Sequence, residues 1–93
     1  MNWNQLQYVL TIVQEKNITK AAQKLYLSQP SLSMSLKNLE EELGVEIFER
    51  KKGVLELTYA GELFCHWAED SLRSKQILSD QLSDISSNAR HKI

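Results

Sequence analysis

Residues 19–40 read TKAAQKLYLSQPSLSMSLKNLE, two runs of helical spacing that meet at a tight turn. The second run carries its own start signal. Ser28 can cap free backbone amides, Gln29 takes the first helical position, and Pro30 falls in the first turn, where a missing N–H costs little. Leu32, Leu36, Leu39 and Leu43 follow at i, i+4, i+7 and i+11, which predicts one buried stripe on a helix that Gly44 stops. Ahead of it, Thr19 reads as the N-cap of a shorter helix over 20–25, with Ala22 and Leu25 turned inward. Ala21 and Ala22 keep that face thin, so another helix can approach closely. A short helix, a tight turn and a second capped helix make a helix-turn-helix, whose second helix is suited to a DNA major groove.

The flanking segments extend this motif into a mainly α fold. Residues 4–15 place Leu6, Val9, Leu10 and Val13 on one helical stripe. After Gly44 the period changes: residues 45–50 and 55–58 read as two short strands around Lys51-Lys52-Gly53. A two-stranded ribbon beside a helix-turn-helix is a wing; the alternative is a surface hairpin that only completes the core. From Tyr59 the pattern is helical again. Phe64, Ala68, Ser71, Lys75, Leu78, Leu82 and Ile85 approximate a seven-residue repeat, and Trp67 and Leu72 widen it. That stripe is longer than a small domain covers alone, which predicts self-pairing of an antiparallel helix. Polar Ser71 and Lys75 keep open a competing arrangement, a helix folded back on its own domain. The expected organisation is a winged helix-turn-helix DNA-binding domain over 1–58, a linker and dimerisation helix over 59–88, and a frayed tail or connecting segment over 89–93.

Bulk charge gives no argument for nucleic acid, since the formal net charge is −1 and the pI about 6.1. Residues 1–58 are neutral, with seven Lys or Arg against seven Asp or Glu. The positive charges include Lys20, Lys24, Lys37, Arg50, Lys51 and Lys52, and the negative ones gather at Glu40, Glu41 and Glu42, so a locally positive face is possible on a neutral domain. A single cysteine, Cys65, excludes an internal disulfide and reads as a small buried hydrophobe. No apolar run approaches the roughly 18 residues of a membrane span, and the N-terminus lacks a secretory pattern, so the cytoplasm is the expected compartment. No enzyme is expected, and no metal or cofactor. Glu40, Glu41 and Glu42 are consecutive, His66 and His91 have no ligand set beside them, and adjacent Cys65 and His66 point in different directions on a helix.

The second motif helix presents Gln29, Ser31, Ser33, Met34, Lys37 and Asn38 away from its leucine stripe. Gln29 and Asn38 both donate and accept, which suits base edges, and glutamine can pair bidentately with adenine. Ser31 and Ser33 are short enough for close approach, and Met34 can lie against a thymine methyl. Lys20, Lys24, Lys37, Arg50, Lys51 and Lys52 are assigned to phosphate, together with Thr19 and Ser28 at the two helix starts. Gly53 permits a tight wing tip.

With these motifs in order, the chain resembles the N-terminal DNA-binding domain of the LysR-type bacterial transcriptional regulators. The matching stretches are Ile18-Thr19-Lys20-Ala21-Ala22, Leu25, Ser28-Gln29-Pro30-Ser31-Leu32-Ser33, Leu36, Leu39-Glu40-Glu41-Glu42-Leu43-Gly44-Val45, Ile47-Phe48-Glu49-Arg50 and Leu57-Thr58-Tyr59-Ala60-Gly61. The resemblance implies a linker helix that pairs two DNA-binding domains, a pseudo-palindromic double-stranded DNA site, and higher oligomers of a longer protein. Gln29, Pro30, Ser31, Ser33 and Met34 would then meet DNA, the wing would enter an adjacent minor groove, and a C-terminal domain outside this chain would sense a small molecule. Met34 and Gly53 depart from the family pattern, which usually carries arginine at the first position and a basic residue at the second. Those departures, the near-neutral charge and the long apolar helix motivate a competing reading, a winged-helix interaction or dimerisation module that binds DNA weakly.

Overall fold

A computed structural model describes residues 1–91, with side chains described over 1–87. The elements follow in the order α1 (Trp3–Glu15), α2 (Ile18–Lys24), α3 (Gln29–Leu43), β1 (Phe48–Lys51), β2 (Val54–Leu57) and α4 (Tyr59–His91). Asn2 starts α1 with a reciprocal capping box: its side chain accepts from the Gln5 amide at 2.9 Å, and the Gln5 side chain accepts from the Asn2 amide at 3.0 Å. Leu6, Val9 and Ile12 form the buried stripe of α1. Lys16 ends the helix in the left-handed region (φ 56°), with its amide donating to the Ile12 carbonyl at 2.8 Å.

The cap of α2 is Asn17, two residues before the expected Thr19. Its side chain accepts from the Lys20 amide at 2.8 Å, which places Thr19 inside the helix. Both residue types cap well. The choice falls to Asn17 because Ile18, as the first helical residue, packs against the core. Past Leu25 the α2 helix closes with a Schellman arrangement: Leu27 N–H donates to Ala22 O at 2.9 Å and Tyr26 N–H to Gln23 O at 3.2 Å, with Tyr26 at φ 58°.

The Ser28 cap and the Gly44 stop (φ 74°) of α3 stand as the sequence suggests. Leu32 and Leu39 are buried and Leu36 packs at the edge of the core, but Leu43 is 37% exposed and leaves the predicted stripe. The last turn of α3 runs past the core, whose end is closed instead by fully buried Ile47. Segment 44–47 is therefore a crossing rather than the start of a strand. The Glu40 carboxylate holds it, accepting from Ile47 N at 2.6 Å and Phe48 N at 3.4 Å.

The wing is one antiparallel pair, registered Phe48↔Leu57, Glu49↔Glu56, Arg50↔Leu55 and Lys51↔Val54. Lys52 and Gly53, at φ 53° and 77°, form a two-residue turn with both residues left-handed, so Lys51 belongs to β1 and not to the turn. Beyond β2, the Thr58 hydroxyl accepts from Gly61 N at 2.9 Å and donates to the Glu46 carbonyl, starting α4 while tying it to the crossing.

The first turns of α4 lie on α1. Ala68 is 0% exposed and Cys65 is buried, so both belong to the protomer's own core, and Phe64 packs at its edge. Ala68 thus seats α4 on its own domain and is not part of the helix's exposed stripe. Trp3 of α1 stands against the same helix, with Lys75 Nζ 5.4 Å from its ring centroid, and Phe64 and Trp67 rings meet at 5.8 Å. Further along, Ile77, Leu78, Leu82 and Ile85 are all more than half exposed. The helix gives the chain its 63 × 26 × 21 Å extents. Of the tail expected over 89–93, residues 89–91 continue α4, and 92–93 lie outside the described residues.

Candidate nucleic-acid interface

The α1–α2 and α2–α3 packing fixes how α3 is presented. Buried Ala21 and Ala22 let α2 sit closely against its neighbours, and Leu32 and Leu39 anchor α3 from below. The opposite face of α3 carries Gln29, Pro30, Ser31, Met34, Lys37 and Asn38, all exposed, with Ser33 half-buried among them. Met34 is 59% exposed without covering by any element. Its thioether is available to a partner at little desolvation cost.

The polar side chains at the start of this face are oriented before any ligand arrives. Ser28 Oγ accepts from Ser31 N at 3.2 Å and lies 2.7 Å from Ser31 Oγ, and Gln29 Nε2 donates to Ser33 Oγ at 2.8 Å. Gln29 retains its carbonyl oxygen and a second N–H for a base edge. Pro30, Ser31, Met34 and Asn38 line a shallow concavity that also takes in Gln5 and Ser35. Gln5 is a residue that sequence reasoning missed: after capping α1, its Nε2 reaches the Ser35 carbonyl of α3 at 3.4 Å. Its capping-box spacing was the available signal, although that spacing says nothing of α3.

On the other flank, Gln29 shares a notch with Thr19 of α2 and with Arg50 and Gly53 of the wing. The structure therefore brings three predicted contact groups, the α2 start, the α3 start and the wing, to one continuous surface. Lys16 and Asn17 line the same notch and were not singled out by the sequence.

Two of the predicted phosphate contacts are directed elsewhere. Lys24 Nζ lies 3.2 Å from Gln14 Oε1 and 3.3 Å from Glu15 Oε2, back on α1. Lys51 Nζ lies 3.4 Å from Glu49 on the wing. Both pairs are at the surface, so each holds its lysine by no more than about 1 kcal/mol. The acidic run is largely consumed: Glu40 binds the crossing amides, and Glu42 lies 2.7 Å from the Met1 ammonium. Lys20, Lys37, Arg50 and Lys52 are exposed and make no ion pair among the described residues.

The buried thiol of Cys65 is pushed up from 9.0 to about 11 by burial and secondarily by the Glu69 charge one turn on. It is an unreactive thiol at neutral pH. Among the described residues no group of three or more His, Cys, Asp or Glu is placed to hold a metal ion, and no helix is long and apolar enough to cross a membrane.

A helix-turn-helix followed by a two-stranded ribbon, with the motif helices and ribbon sharing one polar surface, defines the winged helix-turn-helix class. The family described as "Bacterial regulatory helix-turn-helix protein, lysR family" matches residues 3–62, and the chain belongs to that family. The HTH-type transcriptional regulator BsdA of Bacillus subtilis is 51% identical over 73 residues, 77% of this chain and 25% of that protein. BenM of Acinetobacter baylyi is 41% identical over 68 residues, 73% of this chain and 22% of that protein. The chain thus spans about a quarter of the length of these curated relatives. Among solved structures, the BenM_DBD/catB site 1 DNA complex aligns with a TM-score of 0.90 at 34% identity, covering 100% of both chains. The CbnR_DBD-DNA complex aligns at 0.86 and 31% identity, covering 92% of this chain and 99% of that one.

Proposed function

We propose that this chain is a sequence-specific double-stranded DNA-binding module of a bacterial transcriptional regulator. The α3 helix enters the major groove, with Gln29, Pro30, Ser31, Ser33, Met34 and Asn38 at base edges. The wing lies near the adjacent minor groove. Thr19, Lys20, Ser28, Lys37, Arg50 and Lys52 face phosphate, and Lys24 and Lys51 join them by leaving their surface carboxylates. Residues 1–58 form the reading unit. The exposed stripe of α4, with Trp67, Leu78, Leu82 and Ile85, joins two copies, so that two recognition helices address a pseudo-palindromic site. Phe64, Ser71, Leu72 and Lys75 border that stripe. The chain works in the bacterial cytoplasm within a longer regulator whose remaining part responds to a small molecule. It carries no catalytic role and binds no cofactor of its own.

The observation that carries this reading is the preoriented polar face of α3 on a backbone that matches, over its whole length, a relative solved on DNA. A second reading, an interaction module with weak DNA contact, is favoured by the pairing of Lys24 and Lys51 with carboxylates and by the exposed apolar stripe of α4. Selection from a randomised duplex library by the purified chain, with affinities across a salt series, separates the two. Enrichment of two related half-sites over scrambled duplex is the expected result. Salt-sensitive binding to every duplex alike would leave phosphate attraction without readout. Dimers that bind no duplex would favour the interaction module.

A further inference from the structure

We infer that Lys16 is a DNA-phosphate contact that clamps one strand in the notch between the start of α2 and the wing. The inference rests on the DNA-binding reading above. Adjacent major and minor grooves are divided by a single sugar–phosphate backbone, so a protein with a helix in one and a wing near the other must straddle that backbone. Gln29 and Gly53 mark the two sides here, and the notch between them is where the strand passes.

Lys16 lines that notch with Arg50 on the facing wing. The residues lining the notch itself include no carboxylate, and neither cation makes an ion pair among the described residues. By contrast, Lys24 and Lys51 are drawn to Glu15 and Glu49. Two unneutralised cations facing one polar cleft fit a phosphodiester.

The backbone supplies a way to separate this role from a structural one. Lys16 closes α1 at φ 56°, a conformation that glycine adopts freely and a residue with a Cβ does not. Lysine is therefore the less favourable choice for the fold at this position. Lys16 also borders the adjoining groove that contains Glu56 and Glu62, so a purely stabilising role through those carboxylates is the competing explanation.

The test measures affinity against salt for the wild type, Lys16→Gly and Lys16→Arg, each with the selected duplex and a scrambled one, alongside urea unfolding. For Lys16→Gly we expect affinity to fall about 3- to 10-fold on both duplexes and the logarithmic salt slope to shrink by about 0.9, the value for one phosphate. Base preference stays unchanged and the urea midpoint rises. Lys16→Arg keeps the slope. A wild-type slope retained in Lys16→Gly overturns the assignment, as does a fall in its urea midpoint alongside the lost affinity, which would place Lys16 in the service of the fold. A wild type that binds no duplex refutes the DNA-binding reading itself and the clamp with it, whereas a binding wild type beside an unchanged variant refutes the clamp alone.

Discussion

Gly61 offers a substitution whose sign is decided by geometry against propensity. It is the third residue of α4, and an alanine Cβ there would lie 2.1 Å from the Ile47 carbonyl oxygen and 2.9 Å from Leu57 Cδ2. Its φ is not in the left-handed region, so the backbone conformation itself accepts alanine. Within an unobstructed helix Gly→Ala would stabilise by about 1 kcal/mol. The Leu57 side chain can turn away, but the Ile47 carbonyl cannot. Ile47 is fully buried, and its oxygen accepts from Thr58 N at 3.0 Å. Restoring van der Waals distance requires roughly 1 Å of separation between α4 and the crossing. That movement breaks the Thr58–Ile47 bond, at about 1–3 kcal/mol, and adds an overpacking strain of about 1–3 kcal/mol. Set against the gain in propensity, Gly61→Ala loses about 3 kcal/mol, a large fraction of a small domain's stability. Urea unfolding followed by circular dichroism at one fixed protein concentration measures it. With a slope on the order of 1–2 kcal/mol per molar urea, the midpoint falls by about 2 M. A midpoint that rises would refute the steric argument and show that the junction yields.

Met34→Arg should tighten binding and steepen the salt slope by about 0.9 if the new guanidinium meets a phosphate, or alter base preference if it meets guanine; unchanged affinity and preference across a panel of duplexes would contradict this. Glu40→Ala strands the amide of buried Ile47 and should cost about 1–3 kcal/mol in urea unfolding, whereas Glu40→Gln, which keeps an acceptor, should cost less. The raised thiol of Cys65 favours its neutral form in the folded state, so its contribution is complete below pH 9.0 and is lost as pH rises toward about 11. Across that window the wild type should lose stability more steeply than Cys65→Ala, and parallel pH profiles would show that the burial of the thiol is not coupled to folding.

What the sequence disclosed was the chemistry that acts over three or four residues. Ser28, Pro30 and Gly44 bound α3 in the structure as they do in the sequence, because a cap and a left-handed stop are local devices. The apolar period likewise identified Leu6, Val9, Leu32 and Leu39. Where two nearby residues could do the same work, packing decided. Asn17 prevails over Thr19 because of where Ile18 docks, and Leu43 surfaces because the core ends at Ile47. Lysine at a left-handed position is not readable from composition, so neither the turn at Lys52 nor the helix stop at Lys16 was legible. The polar face of α3 was legible residue by residue. Its surroundings were not, since the Lys24–Glu15 pair, the Gln5–Ser35 contact and the notch between helices and wing exist only once separate elements meet.

In the proposed complex the exposed start of α3 reads bases rather than merely approaching DNA. Repeating the library selection with Gln29→Ala beside the wild type separates the two, because Gln29 is exposed and among the described residues its side chain bonds only to Ser33. The expected result is loss of preference at one base pair in each half-site, with neighbouring positions and the salt slope retained. An unchanged motif, or one flattened evenly at every position, would mean that sequence is read by some other part of the molecule.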